Sequence, residues 1–325
     1  MAFVYDYGLF LAKTVTFVVA FGAIAAIIVA ASRRGERDET LEVEDLNRRF
    51  RQLGDALTGA VSDKKTAKEL EKRRKQEAKD ADKSVSHRPR TFVIDFKGDL
   101  RASATDALRQ EVSAVIATAN DGDDVVVRLE NPGGAVHEHG LAASQLQRLR
   151  RAEIELTVVV DKVAASGGYL MACVANQIVA APFAIIGSIG VLAQLPNFHR
   201  LLDKHGIDFE EITAGKHKRT VTMFGRNTEE DRAQLREELE DIHVLFKAMV
   251  AEYRPDLDID AVATGEYWYG SCAIDRNLVD SLSTSDELLR AKSADKDLYR
   301  VTWKVKQPLG RKLLQAADGF LGRWV

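Results

Sequence analysis

Residues 91–129, TFVIDFKGDLRASATDALRQEVSAVIATANDGDDVVVRL, decide the fold class. Thr91–Phe96 is a short β-rich apolar run that reads as a strand. Ala104–Asn120 then changes period and places Leu108, Val112, Val115 and Ile116 on one helical face. Val125–Leu129 returns to the strand texture. Further on, Gly140–Ala152 (GLAASQLQRLRRA) reads as a helix and Leu156–Val160 as another strand. Strands joined one after another by helices favour right-handed crossovers and a largely parallel sheet, so an α/β domain is expected. Sites in such sheets gather at the carboxyl ends of strands. Thr228 is placed to cap a long helix that ends near Tyr253, where Arg254-Pro255 stops it. Its stripe of Leu235, Leu239, Ile242, Leu245, Phe246, Met249 and Val250 predicts core or subunit packing.

Working outward, the rest of the 325 residues is unlike this part. Thr14–Ala31 is an uncharged run (TVTFVVAFGAIAAIIVAA) whose 18 residues would make a helix of roughly 27 Å, close to the ~30 Å of a bilayer core. The expectation is a transmembrane anchor over residues 1–31 that contacts lipid through residues 14–31. A cleavable signal peptide is the rival, because Val29-Ala30-Ala31 resembles a cleavage site. Residues 32–90 hold 17 Lys/Arg against 13 Asp/Glu and read as a charged helical or partly disordered spacer. No aromatic residue is interleaved with the basic ones of the run KKTAKELEKRRKQEAKDADK, which argues against nucleic-acid binding. A catalytic domain over 91–290 and a C-terminal tail over 291–325, docking a neighbour or grazing a membrane through LLQAADGFLGRWV, complete the division. The near-neutral net charge of −3 averages over these dissimilar segments. Cys173 and Cys272 form no disulfide framework or zinc pattern and are expected to be buried thiols.

Three strand ends could carry chemistry. Asn131-Pro132-Gly133-Gly134 follows the strand VVVRL, and glycine there permits a turn whose N–H groups point outward, suited to an oxyanion. The same four residues also make a plain turn. Ala164-Ala165-Ser166-Gly167-Gly168-Tyr169 sets a serine at the start of a helix, as a nucleophile or simply as an N-cap. It is not a G-x-S-x-G elbow. Gly187-Ser188-Ile189-Gly190 and Gly215-Lys216-His217-Lys218-Arg219 form the third region. A lysine kept neutral by desolvation and hydroxyl partners can act as base for a serine, although a lone lysine is usually a surface charge.

Together, YGLFLAKTVT, RLENPGGAVHEHGLAASQLQRLR, VDKVAASGGYLMACVANQIVAAPFAIIGSIGV, TAGKHKRTVT and ATGEYWYG with AIDRNLVDSL resemble the signal peptide peptidase A family of bacterial inner-membrane peptidases, over essentially the whole chain. The resemblance implies a serine endopeptidase on a Clp-protease/crotonase-like fold, with a Ser-Lys dyad and neither cofactor nor metal. Carried over by motif, Ser166 matches the nucleophile and Lys218 the general base, with Lys216 as its rival. Ser188 matches the hydroxyl that holds the lysine amine. Gly133 and Gly134, with Gly167, match the oxyanion donors. Many relatives have serine where this chain has Asn131. The resemblance further implies a homo-oligomer whose dyad is shared between subunits, and peptide substrates such as signal-peptide remnants or misfolded envelope proteins. It places the catalytic domain on the periplasmic side, whereas Arg33, Arg34 and Arg37 after the apolar run argue for the cytoplasm.

Other readings remain beside it. His137, Glu138 and His139 invite a metal, but the spacing is not H-E-x-x-H and no third ligand stands out, so they are expected to line a substrate groove or lie on a solvated edge. A crotonase-like acyl-CoA enzyme would use the same glycine amides, and a catalytically silent membrane scaffold would keep the anchor and the assembly without the chemistry.

Overall fold

A computed structural model describes residues 2–33, 39–63, 72, 88–215, 218 and 220–305, with side chains in the first helix from Tyr7 to Gly22. The chain divides into two units, residues 1–42 with 303–325 and residues 43–302.

In the first unit, helix α1 covers Ala2–Arg33. Among the described residues no helix is long and apolar enough to cross a membrane, and the expected span over 14–31 is not found among them. Side chains of residues 23–31 of that stretch lie outside the described residues, and those described on α1 are Tyr7 to Gly22. They include Lys13 and the hydroxyls of Thr14 and Thr16, which turn back onto the carbonyls of Phe10 and Ala12.

Strand β1 (Glu39–Asp45) and helix α2 (Leu46–Val61) occupy part of the stretch expected to be spacer; the run Lys64–Glu71 and residues 73–87 lie outside the described residues. Asp45 caps α2 through the N–H of Arg48. Asn47 in its first turn is clamped: its amide donates to the carbonyls of Ser293 and Lys296, and its Oδ1 accepts the N–H of Leu298.

From there the chain runs β2 (Arg90–Lys97), α3 (Thr105–Thr118), β3 (Asp124–Glu130), α4 (Val136–Arg151) and β4 (Glu155–Val160), the alternation expected from residues 91–160. β5 (Val163–Ala165), α5 (Gly167–Ala172), β6 (Gln177–Ala180) and β7 (Ile185–Gly187) follow. Then come α6 (His199–Lys204), α7 (Glu229–Tyr253), α8 (Ile259–Val262), β8 (Tyr267–Tyr269), α9 (Gly270–Ala273), β9 (Ser281–Leu282), α10 (Ser285–Lys292) and β10 (Asp297–Val305). Seven strands form one sheet in the order β1-β10-β2-β3-β4-β6-β9, and every pairing from β10 to β9 is parallel. Thus β10, drawn from the expected tail, is an inner strand; residues 306–325 lie outside the described set.

The strands read as unbroken apolar runs because both faces of this sheet are covered. Phe92, Ile94, Val125, Val127, Leu156 and Val158 share one face and pack with Leu108 and Val112 of α3 and Leu146 and Leu149 of α4. Val93, Val126, Val159 and Val179 point the other way, against Leu46 of α2 and Leu289 of α10. α7 starts with the capping box expected at Thr228, closed by Asp231. Only Phe246 and Val250 of its stripe are buried, so it packs by its last turns and leaves Leu245 exposed. Cys173 is buried, and burial pushes its thiol up to about 12; Cys272 is exposed, contrary to expectation, because it lies on the outer side of the short α9.

A second, three-stranded sheet has the order β5-β7-β8, with β5 parallel and β8 antiparallel to β7. It joins the large sheet where β3 runs on: Asn131 pairs with Ala164, its N–H bonding to Val163 O at 2.8 Å and its carbonyl accepting from Ala165 N–H at 3.1 Å.

Asp124, at the start of β3, is nearly buried and accepts from Lys292 Nζ at 2.7 Å and Lys296 Nζ at 2.9 Å. Burial alone would raise its pKa, but the hydrogen bonds from Lys292 and Lys296 hold it below the ordinary carboxylate value. A carboxyl depressed in this way stabilises the fold above its unfolded pKa of about 3.9, and that contribution is lost as pH falls through the lower folded value. Asp124→Asn is therefore expected to cost on the order of 2 kcal/mol in urea unfolding at neutral pH. The gap to wild type should close as the pH is taken from about 5 towards 3.

Candidate active site

The site forms where the two sheets meet. β5 delivers Ser166 directly into α5, and the backbone there is unusual: Ser166 has φ +53° and ψ −122°, a strained conformation for a residue with a side chain. Ser166 N–H donates to Gly187 O at 2.8 Å and its carbonyl accepts from Leu170 N–H at 3.0 Å, so main-chain bonds on both sides hold the strained residue. Its side chain makes no capping hydrogen bond to the first turn, and the residue is half-buried. The N-cap alternative therefore fails.

Ser188 stands beside it by register. Ala165 pairs with Gly187 in the parallel β5–β7 ladder, so the next residues along are Ser166 and Ser188. Ser188 also has positive φ, +51°, and its N–H donates to Glu266 O at 2.7 Å.

The Pro-Gly-Gly turn faces the same place. Gly133 has φ +90°, and a Cβ added there would lie 2.8 Å from Ser166 Cβ and 2.9 Å from Gly167 N, so only glycine brings this turn against the serine. Its N–H is already used: it donates to Asn131 Oδ1 at 2.9 Å, an Asx-turn. This removes Gly133 from the three expected outward donors. The N–H groups of Gly134 and Gly167 have no acceptor among the described residues. Gly134 is pressed against the chain at Leu100, whose Cα would lie 2.7 Å from an added Cβ.

Lys218 is joined to Ser166 by no hydrogen bond among the described residues. It is exposed, and its N–H bonds to Gly215 O at 3.2 Å at the tip of a long excursion between β7 and α7. Lys216 and His217 lie outside the described residues. The excursion is braced by Asn197, whose amide reaches Thr222 O and Gly225 O, and by the rings of Phe198, Phe209 and Phe224. It leaves Leu192, Leu201, Ile207 and Ile212 exposed.

The His-Glu-His cluster comes apart on α4. His137 is exposed with Glu138 beside it at 3.7 Å, whereas His139 is fully buried behind the Pro-Gly-Gly turn. Elsewhere, an open cleft of about 360 Å³ lies at the carboxyl ends of β2 to β4. Its charges are spent on each other, Arg128 on Asp95 and Lys162 on Glu130, while Asp161 takes the N–H of Ser285. Sequence reasoning named Asn131 only as a turn residue and His139 only as a candidate metal ligand or groove residue, and joined neither to the serine. An Asn-Pro-Gly run is itself an Asx-turn signal and could have marked the first; nothing in the sequence marks the second.

A strained serine at a strand-to-helix junction, beside N–H groups with no acceptor among the described residues, is an arrangement that suits a serine-type hydrolase. Comparison with known proteins narrows this. The family model "Peptidase family S49 N-terminal" matches residues 2–146 and "Peptidase family S49" matches residues 148–299. The "Probable protease SohB" of Haemophilus influenzae is 44% identical over 96% of this chain and 92% of its own length. The "Putative protease SohB" of Buchnera aphidicola subsp. Baizongia pistaciae is 42% identical over 96% and 94%. Among solved structures, a mutant of the "1510-N membrane-bound stomatin-specific protease" in complex with a substrate peptide aligns with a TM-score of 0.46 at 12% identity, over 71% of this chain and 99% of that one. The chain belongs to peptidase family S49. It is accordingly a serine-type peptidase.

The contact between Gly133 and Ser166 makes a direct test. Gly133→Ala should strain the turn by about 1–3 kcal/mol and push it off the serine. Labelling by a serine-reactive phosphonate is expected to slow by about 100-fold, since a displacement near 1 Å at a reacting group costs that much.

Proposed function

We propose that this peptidase cleaves peptide bonds with Ser166 as nucleophile, with Gly134 and Gly167 N–H groups receiving the oxyanion and Lys218 of a neighbouring copy as base. The observation that carries the reading is the backbone of Ser166: a strained serine that caps nothing, beside N–H groups without acceptors. Lys218 takes the hydroxyl proton as Oγ adds to the substrate carbonyl, and the two N–H groups bind the oxygen that becomes negative. The lysine returns the proton to the leaving amine as the C–N bond breaks. Water then adds to the acyl-enzyme by the same path and frees Ser166.

Ser188, next to Ser166 in the β5–β7 register, is placed to receive the lysine amine. Assembly in trans is supported by the exposure of Lys218 and by the apolar side chains that its excursion leaves uncovered. The Clp-protease/crotonase-like assignment is supported by the parallel sheet covered on both faces and by the small second sheet that hands its first strand to the serine. Signal-peptide remnants and misfolded envelope proteins are the substrates suggested by the resemblance.

Ser166→Ala should abolish peptide hydrolysis and phosphonate labelling, and Lys218→Ala should reduce hydrolysis at least about 1000-fold. Mixing the two inactive proteins under conditions that exchange subunits should restore part of the activity. No restoration in mixed assemblies verified by cross-linking would place serine and base in one chain.

A further inference from the structure

His139 has no part in that reaction, yet it is one of the most enclosed polar side chains in the molecule. It and Asn131 are both fully buried and bonded to each other: His139 Nε2 faces Asn131 Oδ1 at 3.1 Å. The same Oδ1 accepts the N–H of Gly133 at 2.9 Å, while Asn131 Nδ2 faces Met171 Sδ at 3.2 Å. The carboxamide is therefore held in one orientation, since turning it over would set its NH₂ against the Gly133 N–H. His139 Nδ1 lies 3.0 Å from Ala135 O, just past the turn; since both neighbours are acceptors, a neutral ring donates to one of them, taken as Nε2–H to Asn131. The ring also forms the floor under Gly167, where an added Cβ would lie 2.5 Å from His139 Cγ. One buried pair thus touches both segments that present unpaired N–H groups, the turn leading to Gly134 and the start of α5 at Gly167.

We propose that Asn131 and His139 are positioning residues for oxyanion binding. Asn131 draws the Gly133 N–H inward and so fixes the turn that presents the Gly134 N–H. His139 locks Asn131 by hydrogen bond and supports Gly167 from below. Neither touches substrate. The pair keeps two N–H groups on different segments at a fixed separation, which matters for the transition state and little for the bound peptide. The inference rests on the reading of Ser166 as nucleophile.

The test uses the full chain and four variants: His139→Leu, which removes the donor; His139→Gln, whose amide can still donate to Asn131; Asn131→Ala; and Asn131→Ser, which keeps a short acceptor for Gly133 but does not reach His139. For each, kcat and KM on a peptide substrate are measured, with inhibition by a peptide aldehyde, which forms a tetrahedral adduct on serine, and binding of the corresponding non-covalent peptide acid. His139→Leu and Asn131→Ala are expected to lower kcat by about 10–100-fold with KM within about 2-fold. Aldehyde affinity should fall by the same factor and peptide-acid affinity should not change. His139→Gln should recover to within about 3-fold of wild type, and Asn131→Ser should lose about 3–10-fold in kcat and aldehyde affinity together. Melting midpoints show which variants fold, and the two conservative ones carry the test where the others do not. Wild-type kcat in Asn131→Ser and His139→Leu, or equal losses in aldehyde and peptide-acid binding, would overturn the proposal. Ser166→Ala runs alongside: activity retained there defeats the reading of the nucleophile, whereas an inactive Ser166→Ala beside fully active Asn131 and His139 variants defeats this inference alone.

Discussion

Two main-chain hydrogen bonds at Asn131 hold the site together. Its N–H to Val163 and its carbonyl to Ala165 splice the end of β3 onto β5, and so join a seven-stranded sheet to a three-stranded one. Everything chemical follows from that splice. β5 then runs in register with β7, which sets Ser166 beside Ser188, and the Pro-Gly-Gly turn has nowhere to go but against the serine. Gly168 exists for the same reason, because a Cβ there would run into the Asn131 carbonyl. Both glycines after the serine are therefore demanded by packing: Gly167 by the His139 ring and Gly168 by the splice.

The alternation of residues 91–160 was legible because period is a local property. Strands covered on both faces print as continuous valine-rich runs, and helices α3 and α4 print their buried stripes at helical spacing. The N-terminus of α7 was equally plain, since Thr228 and Asp231 close a box across three residues. What failed was longer in range. Residues 39–45 read as charged spacer because a strand at a sheet edge can carry exposed acids on both sides; residues 297–305 read as tail although they form an inner strand. Nothing near either segment announces a partner more than 200 residues away.

The site shows the same division. Glycine and serine at the ends of strands pointed to the right loops, but the positive φ of Ser166 and Ser188 is imposed by the β5–β7 ladder and is invisible in composition. The Gly133 N–H looked like a free donor from its turn alone; the side chain two residues earlier had already claimed it. His137 and His139 looked alike in sequence and lie in opposite environments, one exposed and one sealed, since successive helix positions with a 100° turn between each face different surroundings.

The position of β10 bears on how this protein is made. Its residues pair along β2, and the Asn47 side chain near the other end of the chain takes hold of Leu298 and the loop before it. On the ribosome, β2 to β4 are complete long before β10 emerges, and until then one edge of β2 has no neighbour. An uncovered parallel strand edge invites pairing with other chains. Synthesis from the N-terminus thus leaves the peptidase with its serine loop already assembled and its sheet still open, and closure waits until β10 has emerged.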